Sequence, residues 1–223
     1  MIRSLLSAAF LAFATPNLLA DEPLEFEELS IILEVNETDG DAEIVVKAKA
    51  ETGLKKFWLR RPDGKKVAEV VSEDKSKHDG PIGLAEVLFE SGEPSFEHVA
   101  ASYPEGTYEF HGRTVDNETV YGEVWLSHAL LPAPAFTPGD GDVLDKDSVV
   151  VAWSAVVGAA FYVVEVENDD LGVNLTVILA GDATSLTVPP GFLQAGTAYE
   201  LGIATVTDTG NPSFAEVEFE TAP

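Results

Sequence analysis

Apolar and polar residues alternate along most of this chain with a period of two, which is typical of half-buried β-strands. Alternating or apolar runs cover 29–35, 43–50, 57–61, 67–71, 84–90, 112–115, 120–127, 149–153, 160–166, 173–180, 185–188, 199–206 and 214–220. Short segments rich in Gly, Asp, Asn and Pro separate the runs, as turns do. The pattern predicts an all-β protein in which only residues 93–101 form one or two helical turns.

The segment from Leu193 to Tyr199 predicts a tight corner that leads into the strand 199–206. In β-sandwiches such a corner is fixed by a tyrosine hydroxyl that bonds to backbone a few residues upstream. The tripeptide Gly106-Thr-Tyr108 has a similar pattern in the first half of the chain. We therefore expect Tyr199 and Tyr108 to fix equivalent corners in two separate sandwiches.

The length of 223 residues suits two domains of about 100 residues each. Residues 1–20 have the layout of a cleaved signal peptide: Arg3 is followed by the apolar segment 5–13 and by an acceptable cleavage end, Leu18-Leu-Ala20. Leu131-Pro-Ala-Pro134 predicts an extended connection. The expected organisation is a signal peptide, 1–20, and two tandem immunoglobulin-like β-sandwiches, 24–131 and 132–223.

The second half resembles a fibronectin type III module. The matching features are Trp153, the strand that contains Tyr162, and the corner from Leu193 to Tyr199, in which Ala195 stands where the family usually has proline. The resemblance implies that Trp153, Tyr162, Leu193 and Tyr199 are structural residues in the interior of the sandwich. It does not imply integrin-type adhesion, because the chain has no Arg-Gly-Asp tripeptide.

The first half is similar to the leading region of uncharacterised secreted bacterial proteins. The matching stretches are 34–41, 62–64, 90–96 and 103–108. The resemblance implies export from a bacterial cell and brings no activity with it.

The charge of the chain excludes several classes of partner. It has 39 acidic and 13 basic residues, a formal net charge of −26, which repels nucleic acid and anionic lipid. After the signal segment, no apolar run reaches the length of about 20 residues that a membrane span needs. The chain has no cysteine, and so no disulfide or thiolate metal site. We expect a secreted or periplasmic bacterial protein that does not insert into a membrane.

The sequence predicts a protein that is not an enzyme and needs no cofactor. The four histidines are His78, His98, His111 and His128, and none belongs to a metalloprotease, serine-hydrolase or phosphate-loop motif. Pairs of acidic residues are abundant because acids are abundant, and a solvated charged face explains them better than general acid–base catalysis does.

The loop from Asp140 to Asp147 suggests calcium as an alternative. Its four carboxylates belong to Asp140, Asp142, Asp145 and Asp147. Calcium prefers six to eight hard oxygen ligands, but the spacing does not match the twelve-residue calcium loop, and ordinary turns also use Asp. The alternative function is a calcium-stiffened structural module.

One hairpin is basic within this acidic chain. Its cationic residues and one tryptophan are Lys56, Trp58, Arg60, Arg61, Lys65 and Lys66. Alternation places Phe57 and Leu59 inward and Trp58 outward. Two interpretations remain: the hairpin binds an acidic protein partner, including another copy of this chain, or Trp58 packs locally while the cations balance nearby carboxylates.

The function predicted from these features is non-catalytic binding or assembly at the cell envelope or outside the cell. The partner is a protein or a glycan, and the first domain carries the recognition surface. A carbohydrate-binding accessory is a further alternative, which requires Trp58, Tyr121 and Trp125 to lie on one sheet face. Alternation already places Tyr121 and Trp125 on one side of their strand.

Overall fold

The computed structural model describes residues 22–72 and 82–223, which form fourteen β-strands and one short helix. The predicted signal peptide and His78 lie outside the described residues. The strands are β1 Glu28–Asn36, β2 Asp41–Arg60, β3 Lys66–Val71, β4 Leu84–Glu90, β5 Gly106–Thr114, β6 Thr119–Leu126, β7 Phe136–Thr137, β8 Val143–Leu144, β9 Val150–Trp153, β10 Phe161–Asn168, β11 Val173–Ala180, β12 Ser185–Thr187, β13 Ala198–Val206 and β14 Pro212–Thr221, and the helix is α1 Phe96–Ser102. The all-β prediction is confirmed, and α1 lies where the helical turns were expected.

The second half is a two-layer sandwich. One layer has the strand order β12-β9-β7, and the other has the order β11-β10-β13-β14. The rings of Trp153 and Tyr162 lie 5.4 Å apart in the interior, and Tyr199 stacks on Phe219 at 5.8 Å. Leu193 is also buried, as the resemblance implied. The short strand β8 pairs with the end of β14. The two layers, with these rings between them, give a fibronectin type III-like fold.

Both predicted tyrosine corners are present. The Tyr199 hydroxyl accepts a hydrogen bond from the Gln194 backbone N–H at 2.8 Å. The Tyr108 hydroxyl donates to the Pro104 carbonyl at 3.2 Å. Both rings are buried, so each hydroxyl fixes the chain entering its strand without leaving an unpaired polar group inside.

The first half is organised by the 20-residue strand β2. Its beginning pairs with β1 and β4, and its end pairs with β3 and β5, so one strand serves both layers of the sandwich. The sequence predicted two separate strands here. The observed strand is continuous, but its pairing register shifts between Lys49 and Leu54. Gly53 and Gly83 approach closely there: a Cβ on Gly53 would lie 2.7 Å from the Gly83 Cα.

The two halves share a sheet, which the sequence did not predict. β1 pairs in parallel with β14 through Val35–Ser213 and Asn36–Phe214. Beside this contact, the buried Asn211 side chain accepts from the Leu33 N–H at 3.0 Å. It donates to the carbonyls of Ser127 at 2.7 Å and Ala129 at 3.1 Å. The Asn211 amide, in the second half, therefore bonds both to β1 and to the segment that follows β6.

Two hydrophobic cores lie on either side of this junction. The buried residues of one come from the range 31–126, and those of the other come from 149–219. Among the described residues, no helix is both long enough and apolar enough to span a bilayer.

Candidate functional site

The basic hairpin is formed by the end of β2, a turn at 61–65, and β3. The turn is closed by the Arg61 N–H bonding to the Lys65 carbonyl at 2.9 Å. Gly64 has a φ of 78°, a left-handed conformation that glycine adopts without a Cβ penalty. Asp63 accepts from the Lys65 N–H at 3.1 Å, which explains the Asp-Gly pair at the tip.

The two faces of the hairpin follow the predicted alternation. Phe57 and Leu59 are fully buried in the first core. Lys56, Trp58 and Arg60 lie on the opposite face of the sheet, where each is partly exposed. Lys56, Trp58 and Arg60 therefore share one surface, here called the hairpin face.

The hairpin cations are partly neutralised by two carboxylates. Glu69 pairs with Lys56 at 2.7 Å and with Lys66, and these bonds lower the pKa of Glu69 to about 2. Asp63 pairs with Arg61 at 2.6 Å and with Lys65 at 3.4 Å, and the Arg61 bond holds the pKa of Asp63 well below its usual range. Residues 55–71 contain six cations against these two acids, an excess of four positive charges within this segment, and Glu109 on β5 lies opposite Arg60 on the same face.

Trp58 belongs to a row of rings that crosses three strands. The register places Trp58 opposite His111 on β5, and His111 opposite Tyr121 on β6. The Trp58 and His111 rings are stacked with centroids 5.0 Å apart, and His111 and Tyr121 lie 5.1 Å apart. The Lys56 Nζ lies 5.5 Å from the Trp58 ring, within cation–π range.

Two further side chains enlarge the hairpin face. Arg113 lies opposite Lys56 in the β2–β5 pairing and adds a cation. Trp125 lies on the same side of β6 as Tyr121 and is 63% exposed. The sequence did not predict that His111 and Arg113 belong to the hairpin face. Pairing between β2 and β5, and not spacing along the chain, brings them beside Trp58 and Lys56.

The acidic loop 140–147 holds its carboxylates apart. Asp142 accepts from the Gly139 N–H at 2.8 Å, and Asp145 accepts from the Asp147 N–H at 3.0 Å. Asp147 pairs with Lys146 at 2.7 Å, and Asp140 accepts from the Glu218 N–H at 3.3 Å. Within 22–72 and 82–223, no group of three or more His, Asp or Glu side chains is placed to hold a metal ion. Calcium binding stays a prediction.

Comparison with known proteins finds similar structures but no matching family. No family model matches the chain, and no curated protein matches it. Three fibronectin type III structures are similar. A chicken contactin segment, CNTN1 FN1–FN3, is 10% identical with a TM-score of 0.36 and covers 89% of this chain, which spans 65% of that one. A two-domain segment of chicken tenascin is 14% identical with a TM-score of 0.34 and covers 87% of this chain and 98% of its own.

The third similar structure is an Fn3-like protein from Clostridium thermocellum. It is 27% identical with a TM-score of 0.29, and the match covers 41% of this chain and 96% of that one. None of these likenesses assigns a function to this chain.

A second charged surface, here called the acidic groove, lies where the two halves share their sheet. Glu34 faces Glu43 across the β1–β2 pair. Glu165 and Glu216 line the groove with Glu34, above an apolar floor that includes Phe214. Burial, followed by repulsion from Glu43 and other neighbouring carboxylates, raises the pKa of Glu34 to about 7. No pattern along the chain predicts this groove, since it depends on how β1 pairs with β14.

The largest cleft described lies beside α1 and is lined by residues that include Val67, Glu93, His98 and Tyr103. It is open to solvent. The prediction that the chain is not an enzyme stays a prediction.

Proposed function

We propose that this protein is an exported, non-catalytic binding or scaffold module whose hairpin face binds an acidic protein partner. The observation that carries the proposal is the excess of four positive charges over residues 55–71 in a chain of net charge −26. Arg113 and the row of rings from Trp58 to Tyr121 lie beside those charges.

The chemistry of this face fits carboxylate recognition. Arginine and aromatic side chains dominate the residues that carry binding energy at protein interfaces. Cations on an anionic body attract an acidic segment locally while the rest of the surface repels it, which favours one orientation of docking. Export to the envelope or the extracellular space is part of the proposal, and the layout of residues 1–20 supports it.

The test measures binding of a glutamate-rich synthetic peptide, with a glutamine-rich peptide of equal length as the control probe. Arg60→Ala with Lys65→Ala removes two cations from the basic hairpin. Lys49→Ala with Lys146→Ala removes two cations elsewhere and changes the net charge equally. We expect the first pair to weaken binding about tenfold or more and the second pair to have little effect. Equal loss in both pairs would attribute binding to net charge and refute the hairpin site.

Carbohydrate binding is a second candidate function, which one observation favours. Trp58, Tyr121 and Trp125 lie on the same face of the sheet, and Trp125 is 63% exposed. Exposed indole rings can stack on the apolar faces of sugars. Pull-down with insoluble polysaccharides tests this function: retention that Trp125→Ala abolishes supports it, and a protein that stays in the supernatant with every polysaccharide argues against it.

A further inference from the structure

The strand β11 ends the shared sheet with one unpaired edge. It pairs antiparallel with β10 over all eight of its residues. Its other edge pairs with no strand among residues 22–72 and 82–223. An open edge presents a row of backbone N–H and C=O groups that can pair with another strand.

β11 also lacks the charges that normally protect such an edge. Its sequence from Val173 to Ala180 contains no charged residue, although the chain has 39 acids. The other edge strands of comparable length in the described part each carry charge: β3 has Lys66 and Glu69, β4 has Glu86 and Glu90, and β6 has Glu123. Natural proteins place charges on edges to prevent strand pairing, and β11 is the exception here.

The polar side chains of β11 lean towards its neighbour and away from the free edge. Asn174 donates to the carboxylates of Glu165 and of Glu167, the latter at 3.0 Å. The Thr176 hydroxyl donates to Glu165 at 2.9 Å. Ile178, which is 70% exposed, completes this face of the strand. The free edge is left with backbone groups and aliphatic surface.

We propose that β11 pairs antiparallel with β11 of a second copy of this chain, so that the shared sheet continues across a two-fold axis. Copies with a net charge of −26 repel one another wherever their acidic surfaces meet. At this edge the closest glutamates belong to the two β10 strands, three strand spacings apart. At about 4.8 Å per spacing their backbones are about 14 Å apart, with two uncharged strands between them.

The pairing gives a weak and reversible dimer. Two strands of eight residues bury less than the 1,200–2,000 Å² typical of stable interfaces, so we expect a dissociation constant on the order of 100 µM. Antiparallel pairing brings Asp169 and Asp170 of one copy towards Asp182 of the other, just beyond the strand ends. Added salt screens this repulsion, so salt should strengthen the dimer.

The first test is sedimentation of the purified protein over a concentration series up to about five times the expected dissociation constant. We expect Ile178→Lys to weaken dimerisation at least tenfold, because lysine protects exposed edges. Val157→Lys is the matched control: Val157 lies in a turn of the same half, is 94% exposed, and is not on β11. A protein that stays monomeric throughout overturns the proposal, as does equal weakening by both variants.

The second test uses the absence of natural cysteine. Single cysteines are introduced one at a time across 173–180, and the disulfide-linked dimer is measured after mild oxidation. In an antiparallel pair related by a two-fold axis, one residue faces its own copy, so we expect one position to cross-link far more than the others. Uniform or absent cross-linking across the eight positions overturns the pairing.

The dependence on salt distinguishes self-association through β11 from binding of an acidic partner to the hairpin face. Binding through the hairpin weakens as salt rises, whereas pairing through β11 does not. Arg60→Ala with Lys65→Ala should leave the β11 dimer intact. If that pair of substitutions abolishes self-association and Ile178→Lys does not, the copies associate through the hairpin and the β11 proposal fails.

Discussion

Replacing Glu34 by glutamine should stabilise the protein at alkaline pH. Glu34 lies in the acidic groove with Glu43 directly opposite it, and its pKa is raised to about 7 from an ordinary value of 4.5. Because the folded state holds this proton more tightly than the unfolded chain does, the protonated form stabilises the fold. That stabilisation is complete below about pH 4.5 and is lost as the pH rises through 7.

The size of the effect follows from the two pKa values. A difference of about 2.5 units at 1.36 kcal/mol per unit gives about 3.4 kcal/mol at pH 8. The carboxylates around Glu34 are partly solvated, and screening reduces the expected gain from Glu34→Gln to about 2 kcal/mol. For a chain of this length that corresponds to an increase in Tm of about 4–8 °C.

The assay is urea unfolding followed by tryptophan fluorescence at pH 8 and pH 4. Glu51→Gln is the matched control, since Glu51 is exposed on β2 and its replacement removes the same charge. We expect a gain for Glu34→Gln at pH 8 that disappears at pH 4, and little change for Glu51→Gln at either pH. A gain of the same size at both pH values, or no gain at pH 8, would refute the reasoning.

Three further predictions concern stability. Asn211→Ala removes the hydrogen bonds to Leu33 and Ser127, so we expect a loss of about 2–4 kcal/mol and two separate transitions in calorimetry; a single transition at the wild-type Tm would contradict this. Tyr199→Phe removes the hydroxyl that accepts from Gln194 and should cost about 1–2 kcal/mol in urea unfolding, with no change meaning that the bond is dispensable. Millimolar calcium should leave the Tm unchanged relative to EDTA, because the carboxylates of the acidic loop bond to backbone or to lysine; an increase would support the calcium-stiffened alternative.

Local pattern was enough to predict the cores and corners. Alternation along β13 places Tyr199, Leu201 and Ile203 on one face, and all three are buried, because each strand packs one face against the opposite layer. The resemblance to a fibronectin type III module placed Trp153, Tyr162 and Tyr199 in the interior of the second half, and all three rings are buried. The basic hairpin was also found from sequence, since its turn and its two faces depend only on neighbouring residues.

Features that depend on distant register could not be predicted in this way. The parallel pairing of β1 with β14 joins residues about 180 positions apart through two residue pairs. This pairing uses backbone groups, which every residue has, so no residue type in the sequence indicates it. Asn211 resembles any polar loop residue until its partners are placed around it. Similarly, His111 joins Trp58 only because β5 lies beside β2 in one particular register.

The bonding of Asn211 has a consequence for dividing this chain. Cutting after Leu131 preserves the second core, but it leaves a buried amide without the groups that bond to it in the first half and in the segment before the cut. The same cut uncovers the β14 backbone that β1 had paired with. Separated halves would therefore be less soluble than the intact chain, and the two sandwiches are best produced together as one chain.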